Sequence, residues 1–181
     1  GMACTTHSSS ASPIQLEHTN AFITLNEDGS ANLAVGASDM GQGILGVLAQ
    51  IAAEELGLSA QDIHIVAGDT DVTMFDVGSK ASRSTYTIGS AVKNAAAEAK
   101  QKILERAAKT LEVSAEELEI KDRRVYVKAA PEKEITIAEV ARNAIYNFEG
   151  ASLHISGVCS FEPKMGSPPF QATFAEVEVD T

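Results

Sequence analysis

One stretch of the sequence predicts the first structural motif of the fold: Ala21-Phe-Ile-Thr-Leu-Asn-Glu-Asp-Gly-Ser-Ala-Asn-Leu-Ala-Val35. Two runs of strand-forming residues, 21–25 and 31–35, flank a short polar segment. Asp28-Gly29 supplies the positive φ that a tight turn requires. The stretch therefore predicts an antiparallel β-hairpin.

Downstream of the hairpin, apolar residues recur at the spacing of an α-helix. The apolar stripe starts after Gly43 and continues as far as Leu56. Gly57 is expected to end this helix as a C-cap, because glycine adopts the left-handed conformation without steric cost. Ile63–Ala67 then predicts a short strand.

A second, longer helix is predicted beyond a polar, turn-rich loop over residues 68–79. Its helical register begins between Ser82 and Thr85 and continues to about Leu111. The first half is rich in glycine, serine and alanine, which predicts close packing against other backbone. The second half is charged and should be more exposed.

The remainder of the chain predicts short elements. Ser114-Ala-Glu-Glu117 is a capping box, which indicates a single helical turn. A hairpin is expected around Asp122-Arg123, and Thr136 can cap a helix over Ile137–Tyr146. The closing segment Phe174–Thr181 alternates apolar and polar residues as a half-buried strand does.

Length, composition and charge exclude several classes of protein. The chain has 181 residues, of which 44% are hydrophobic, so a disordered protein is excluded. No repeat or low-complexity linker interrupts it, and residues 1–181 are expected to form a single α+β unit. The net charge of −11 disfavours nucleic acid and anionic membranes as partners. No apolar run could cross a bilayer and no signal peptide is evident, so the cytoplasm is the expected location.

The first segment with candidate chemistry is Asp39-Met-Gly-Gln-Gly-Ile-Leu-Gly46. It contains G-x-G-x-x-G between a predicted strand and a predicted helix, the context of a dinucleotide fingerprint. The preceding strand is the second strand of a hairpin, however, which argues against a nicotinamide site. Unpaired N–H groups at the helix start would favour an anion, and Gln42 can donate and accept at a heterocycle edge. Gly46 is expected to pack closely on a neighbouring strand without a ligand.

The second segment is Asp76-Val-Gly-Ser-Lys-Ala-Ser-Arg-Ser-Thr-Tyr-Thr-Ile-Gly89. Its hydroxyl groups can donate to phosphate oxygens, and backbone N–H groups at the helix start add further donors. The hydroxyl residues are Ser79, Ser82, Ser84 and Thr85. An N-cap role explains one of them but not their density. For Arg83 two interpretations stay open, phosphate binding and a surface ion pair with Asp76.

These segments resemble the molybdenum hydroxylase family, the xanthine dehydrogenase and aldehyde oxidase type. Asp39–Gly43 resembles the family's (E/D)MGQG segment. Gly78–Val92 is similar to its second cofactor loop and the helix that follows. Phe170–Asp180 resembles a strand that the family carries further on, and Gly1–Cys4 is a fainter match upstream. Together the matches extend from end to end of the chain in the family's order.

The resemblance implies a molybdopterin-binding-domain-like fold, with mixed or antiparallel strands and hairpins packed with two main helices. It identifies the chain as a piece of the family's large subunit, which holds a mononuclear molybdenum on a pyranopterin, often as a cytosine dinucleotide. These enzymes hydroxylate a carbon next to a ring nitrogen, or oxidise aldehydes, with oxygen from water. The residues expected to contact the pterin are Met40, Gly41, Gln42 and Gly43. Those expected near the phosphate and the metal are Ser79, Lys80, Ala81, Ser82, Arg83, Ser84 and Thr85.

The same resemblance implies that other parts of the enzyme complete the site. The family's catalytic glutamate is expected beyond residue 181, so no catalytic residue or metal ligand is assigned within the chain. The expected partners are the remainder of the large subunit and the iron–sulfur and flavin domains or subunits. By itself the chain is expected to be inactive and to lack the cofactor.

Two other classes of function stay open from the residues alone. Gly41, Gly43 and Gly46 would suit a nicotinamide-dinucleotide-binding module. The absence of a complete catalytic site would suit a non-catalytic α+β interaction domain.

Overall fold

The computed structural model describes residues 1–7, 17–146, 154–166 and 168–180. Its elements form an α+β fold, as predicted. The strands are β1 (Met2–Thr6), β2 (Thr19–Leu25), β3 (Ala31–Val35), β4 (Ile63–Ala67), β5 (Leu118–Lys121), β6 (Arg124–Val127), β7 (Ala130–Thr136), β8 (Ser156–Phe161) and β9 (Phe170–Phe174). The α-helices are α1 (Ile44–Leu56), α2 (Gly89–Leu111) and α3 (Ile137–Tyr146).

The central sheet has four strands in the order β4-β3-β2-β8. The predicted hairpin is confirmed, because β2 and β3 are antiparallel and Gly29 turns the chain at a φ of 82°. β8 adds antiparallel to the other side of β2, whereas β4 lies parallel to β3. The segment β3–α1–β4 is therefore a parallel crossover attached to an antiparallel hairpin, which the local sequence pattern did not predict.

Helix α1 connects the two parallel strands, with a glycine on each side. Gly43 precedes the first turn with a φ of 75°. Gly57 has a φ of 66° and donates its N–H to the carbonyl of Ala53, so the predicted C-cap is confirmed. The predicted apolar stripe is buried at four of its positions, whereas Val47 and Ile51 are half-buried. The buried residues of α1 are Ile44, Leu48, Ala49, Ala52, Ala53 and Leu56.

Helix α2 lies across the central sheet and contacts α1. A π-helical turn over Ser84–Ile88 precedes it, and the helix ends at Leu111, so the predicted span is confirmed. The predicted close packing is also confirmed: a Cβ added to Gly157 of β8 would lie 1.9 Å from the carbonyl oxygen of Ala95. The backbones of β8 and α2 therefore approach more closely than any side chain on residue 157 would allow.

The second sheet contains β5, β6 and β7, and it packs against α2 together with α3. The hairpin between β5 and β6 turns through Asp122 and Arg123, both with positive φ, as predicted. The cap of α3 is confirmed too, because the Glu139 N–H donates to Thr136 Oγ1 at 3.2 Å. β7 was not predicted, since its charged first half shows no alternation; Pro131 is tolerated there because β7 is an edge strand.

β1 and β9 form a two-stranded antiparallel ribbon whose residues are all exposed. The predicted half-buried strand over Phe174–Thr181 is wrong: pairing covers Phe170–Phe174, and Ala175–Asp180 form no strand. Thr181 lies outside the described residues. Alternation in this segment is not caused by burial of one face, because its described residues are exposed on both faces.

The hydrophobic core lies between the central sheet and helices α1 and α2, and it continues to α3 and the second sheet. Leu33, Leu48, Val92 and Ile103 are fully buried within it. The sheet and the two helices thereby give rigid support to the loops at the ends of β3 and β4. Among the described helices, none is long and apolar enough to cross a membrane.

Candidate functional site

The two segments singled out in the sequence meet at one edge of the central sheet. The first follows β3 and the second follows β4, and because these strands are parallel neighbours their carboxyl ends lie side by side. The carbonyl oxygen of Ser38 accepts from Gln42 Nε2 at 3.0 Å and from Ser79 Oγ at 2.7 Å. This shared acceptor joins the two loops directly.

In the first loop, the carboxylate of Asp39 accepts hydrogen bonds from backbone N–H groups before and at the start of α1. Its Oδ1 accepts from the N–H groups of Gly41 at 2.9 Å and Gly43 at 3.3 Å, and its Oδ2 accepts from Leu45 at 3.4 Å. Backbone donation, mainly from Gly41, holds the pKa of Asp39 below its ordinary value of 3.8. The N–H groups of Gly41, Gly43 and Leu45 are therefore not free for an anion, contrary to the expectation, because the Asp39 carboxylate accepts from them.

The side chains of Gln42 and Met40 differ in what they offer to a ligand. Gln42 folds back on its own loop, where Oε1 accepts from the Met40 N–H at 2.5 Å. A primary amide has a second N–H and a second lone pair, so it can bind a ligand as well. The side chain of Met40 is 72% exposed, which is unusual for a large apolar residue beside a cleft and suits contact with a flat ring.

The glycines of the first segment border open space. A Cβ added to Gly41, Gly43 or Gly46 would meet no atom within 4 Å. The expectation that Gly46 packs closely on a neighbouring strand is wrong, because Gly46 lies on the exposed side of α1. All three positions thus leave room for another group to approach the backbone.

The second loop adopts a backbone conformation that is unusual for its residues. Ala81 and Ser82 have φ values of 45° and 50°, and the Arg83 N–H donates to the Lys80 carbonyl at 3.0 Å. Consecutive positive φ angles are typical of a type I′ turn, which ordinarily contains asparagine or glycine. A non-glycine residue in this region costs roughly 1 kcal/mol or more, so surrounding contacts must maintain the turn.

Those contacts come from a buried cluster of charges. The Arg83 side chain is fully buried, and its Nε lies 2.5 Å from Glu17 Oε2. Its Nη1 donates to both carboxylate oxygens of Asp76, at 3.0 and 3.2 Å, and to the Gly78 carbonyl at 2.9 Å. Lys80 Nζ lies 3.2 Å from Glu17 Oε1, so two cations balance two carboxylates. Of the two interpretations left open for Arg83, the ion pair with Asp76 is present, but it is buried rather than at the surface.

A cleft of about 530 Å³ lies between the two loops. This volume falls within the range of small-molecule sites. One wall contains Met40, Gln42, Ile44 and Val47; the other contains Ser79, Lys80, Ala81, Ser82, Ser84 and Thr85. Of the residues predicted to bind the cofactor, eight line the cleft, whereas Gly41, Gly43 and Arg83 do not.

Several residues of the site were not predicted from the sequence. Ile44 and Val47 add an apolar patch to the cleft, but their helical spacing indicated only a core stripe. The sequence motif that contains Asp39 predicted no role for this residue. No local sequence pattern indicated that Glu17 belongs to the site, because its partner Arg83 lies 66 residues later in the chain. Within the described ranges, no group of three histidine, cysteine, aspartate or glutamate side chains is arranged to hold a metal ion.

The fold and the cleft together define an α+β domain with an apolar wall, a loop amide and a hydroxyl-rich wall that carries one cation. Such a combination suits an organic cofactor with an anionic group. The whole chain, residues 1–181, matches the molybdopterin cofactor-binding domain family, and the protein belongs to that family.

Individual relatives agree with this assignment. The xanthine dehydrogenase molybdenum-binding subunit of Escherichia coli O157:H7 is 35% identical over 99% of the chain. The reconstituted CO dehydrogenase from Oligotropha carboxidovorans superposes with a TM-score of 0.83 at 34% identity, over 95% of this chain and 22% of that one. Quinoline 2-oxidoreductase from Pseudomonas putida 86 has the same fold, with a TM-score of 0.84 at 24% identity over 95% of this chain and 23% of that one.

The chain is much shorter than these relatives. It covers 24% of the length of the Escherichia coli subunit. The relatives are named as dehydrogenases, as an oxidoreductase or as a molybdenum-binding subunit, and this chain corresponds to one region of such proteins.

Proposed function

We propose that the cleft binds the molybdenum–pyranopterin cofactor of a xanthine dehydrogenase-like oxidoreductase. The observation that carries the proposal is the junction of the two loops at the Ser38 carbonyl, which makes one cleft from both predicted cofactor segments. The elements from β2 to β8 share a continuous core, which supports the treatment of the chain as a single unit. When bound, the cofactor supplies the redox centre for hydroxylation of the substrate.

The charges of the two loops support the proposal that each wall binds a different end of the cofactor. The Asp39 carboxylate occupies the start of α1, so a phosphate would be repelled there, and Met40, Gly41, Gln42 and Gly43 would contact the neutral pterin ring. Lys80 and the hydroxyls of the opposite wall are donors suited to phosphate oxygens. The donor wall comprises Ser79, Lys80, Ala81, Ser82, Ser84 and Thr85, and Arg83 would act from behind it.

The reaction and the partners belong to the proposal as well. We infer that the whole enzyme hydroxylates an N-heterocycle or oxidises an aldehyde with water as oxygen source, in the cytoplasm. Because the chain spans about a quarter of its relative, the remaining catalytic groups would come from elsewhere in the large subunit. Iron–sulfur and flavin domains or subunits would carry electrons away, and a cytosine dinucleotide form of the cofactor would suit the donor-rich wall.

The nicotinamide alternative has one observation in its favour and one against it. The β3–α1–β4 crossover is parallel and contains G-x-G-x-x-G, as a dinucleotide site requires. In such a site, however, the pyrophosphate binds the N–H groups at the helix start. Here Asp39 accepts from those groups, and its negative charge would oppose a pyrophosphate.

Molybdenum content tests the proposed function. The full-length product of the gene that contains this chain would be purified from its native host and analysed for molybdenum by mass spectrometry and for pterin by fluorescence after oxidation. We expect about one molybdenum per protein in the wild type, as for a tightly bound cofactor. Replacing Gln42 and Ser82 together by alanine should remove most of it, because each wall loses a donor.

A matched double variant serves as the control. Gln101→Ala with Ser114→Ala makes the same two chemical changes on exposed residues outside the cleft, and it should retain the metal. A folded wild-type protein without molybdenum or pterin would refute the proposal. Titration with reduced nicotinamide dinucleotide, followed by fluorescence, would then test the alternative.

A further inference from the structure

We infer that Arg83 is a positioning residue: its buried guanidinium holds the left-handed turn at Ala81 and Ser82 in the shape that presents the donor wall of the cleft. The Arg83 side chain does not line the cleft, so it acts through the backbone and through Glu17 and Asp76. The consequence for cofactor binding rests on the proposed function, whereas the consequence for loop geometry does not.

The guanidinium joins the loop that precedes it to Glu17, which lies 66 residues earlier in the chain. Nη2 donates to the Glu17 carbonyl at 3.1 Å, and Nε contacts the carboxylate of the same residue. Nη1 reaches Asp76 and the Gly78 carbonyl at the start of the loop. A planar group with five donors can make these contacts at once, whereas a lysine ammonium cannot reproduce their fixed geometry.

The contacts enclose the strained turn on both sides. Asp76 and Gly78 precede the turn, and the backbone of Arg83 closes it through its N–H bond to Lys80. Asp76 Oδ1 also accepts from the Gly78 N–H at 2.7 Å, which fixes the entry to the loop. The guanidinium thus holds the entry to the loop and the backbone of the same residue closes the turn, so Arg83 restrains both sides of the two left-handed residues.

Gly36 holds the cluster against the central sheet. A Cβ at Gly36 would lie 2.6 Å from the Asp76 Cβ and 2.8 Å from the Met74 carbonyl oxygen. Since any larger residue would clash with Asp76 and Met74 and displace them, this position makes a second, independent test of the same cluster. Gly36 lies just after β3, outside the cleft lining.

The cluster also sets the position of the cation in the cleft. Lys80 lines the cleft with 36% of its side chain exposed, while its Nζ contacts Glu17 Oε1. Arg83 contacts the other oxygen of the same carboxylate. Lys80 and Arg83 therefore share the Glu17 carboxylate, which links the buried arginine to the donor that would face an anion.

Amide hydrogen exchange of the full-length gene product tests the positioning directly. In the Arg83→Lys and Gly36→Ala variants, we expect exchange over residues 78–87 to increase by about tenfold or more, because the turn opens locally. Two controls should leave this segment unchanged: Arg106→Lys, the same substitution at a part-buried arginine of α2, and Ile103→Val, a core change that lowers the melting temperature. Arg83→Met, which removes the charge, should open the segment at least as much as Arg83→Lys.

The retention of molybdenum during dialysis is the second measurement, and it tests the link between Arg83 and the cofactor. We expect Arg83→Lys to lose the metal several-fold faster than wild type, with Ile103→Val unchanged. If exchange over 78–87 stays at the wild-type level in Arg83→Lys and Arg83→Met, the positioning role is refuted. If the segment opens but molybdenum is retained, its link to the cofactor is refuted. A wild type without molybdenum refutes the proposed function, and the exchange data still decide the role of Arg83.

Discussion

One residue, Asp39, organises the first loop by accepting from three backbone N–H groups at the start of α1. Its depressed pKa means that the carboxylate stabilises the folded loop above the ordinary pKa of 3.8, and that this stabilisation is lost as pH falls through the lower, folded-state pKa. We expect NMR titration of the Asp39 carboxyl to give a midpoint below 3.8, with loop amides shifting in parallel.

Substitution of Asp39 separates its charge from its role as an acceptor. Asp39→Ala should leave the helix-start N–H groups without an acceptor, disorder the loop and lower molybdenum content. Asp39→Asn keeps an acceptor oxygen, so it should be the milder change. Asp71→Asn, at an exposed aspartate of the next loop, should behave as wild type. An Asp39 midpoint at or above 3.8, or an Asp39→Ala variant with a normal loop, would contradict this account.

Among the secondary-structure elements, β8 and α2 can contact each other closely because Gly157 of β8 has no side chain. Because a Cβ at residue 157 would lie 1.9 Å from the Ala95 carbonyl, Gly157→Ala must push the strand and the helix apart. We expect a loss of about 2 kcal/mol or more in the free energy of unfolding, as for an overpacked core. Chemical denaturation measures it, and Gly46→Ala is the matched control.

The Gly46→Ala control should change the free energy of unfolding in the opposite direction. Gly46 lies on the exposed side of α1 with open space around it, so Gly46→Ala should stabilise the helix by about 0.5–1 kcal/mol. Equal effects of the two substitutions on the free energy of unfolding would mean that the strand–helix approach is looser than the structure indicates.

Sequence patterns predicted a structural feature correctly wherever the residues that cause it lie within one short segment. The turn at Asp28-Gly29, the cap at Gly57 and the Thr136 cap of α3 were all predictable from neighbouring residues. The ribbon was not, because β1 pairs with β9 at the far end of the chain. The parallel position of β4 was not predicted for the same reason, as strand order depends on tertiary packing.

The site shows the same division between local and distant causes. Residue types predicted the two cofactor segments, and the resemblance assigned their roles. The buried position of Arg83 and the participation of Glu17 depend on contacts over 66 residues, which no local pattern records. The role of Asp39 was not predicted either, because aspartate favours the N-cap position, which here is Gly43, and the glycine motif suggested a ligand instead.

For the whole molecule, the main contrast is between the helix-backed sheet and the ribbon of β1 and β9. Every ribbon residue is exposed, including Met2, Phe170 and Phe174, whereas the core face of α2 is fully buried. A two-stranded ribbon is marginally stable in water by itself. Cooperative unfolding should therefore include the central sheet, α1 and α2 but not the ribbon.

Hydrogen exchange of the 181-residue chain measures this difference in stability. We expect amides of Phe170–Phe174 to open with a free energy close to zero, and those of buried α2 residues to open only with global unfolding. Phe170→Ser, on the ribbon, should then leave the denaturation midpoint unchanged, while Ile103→Val in α2 lowers it. If the ribbon exchanged as slowly as α2, the two strands would have to be part of the cooperative core, and the exposed side chains of β1 and β9 would need to contact another surface in solution.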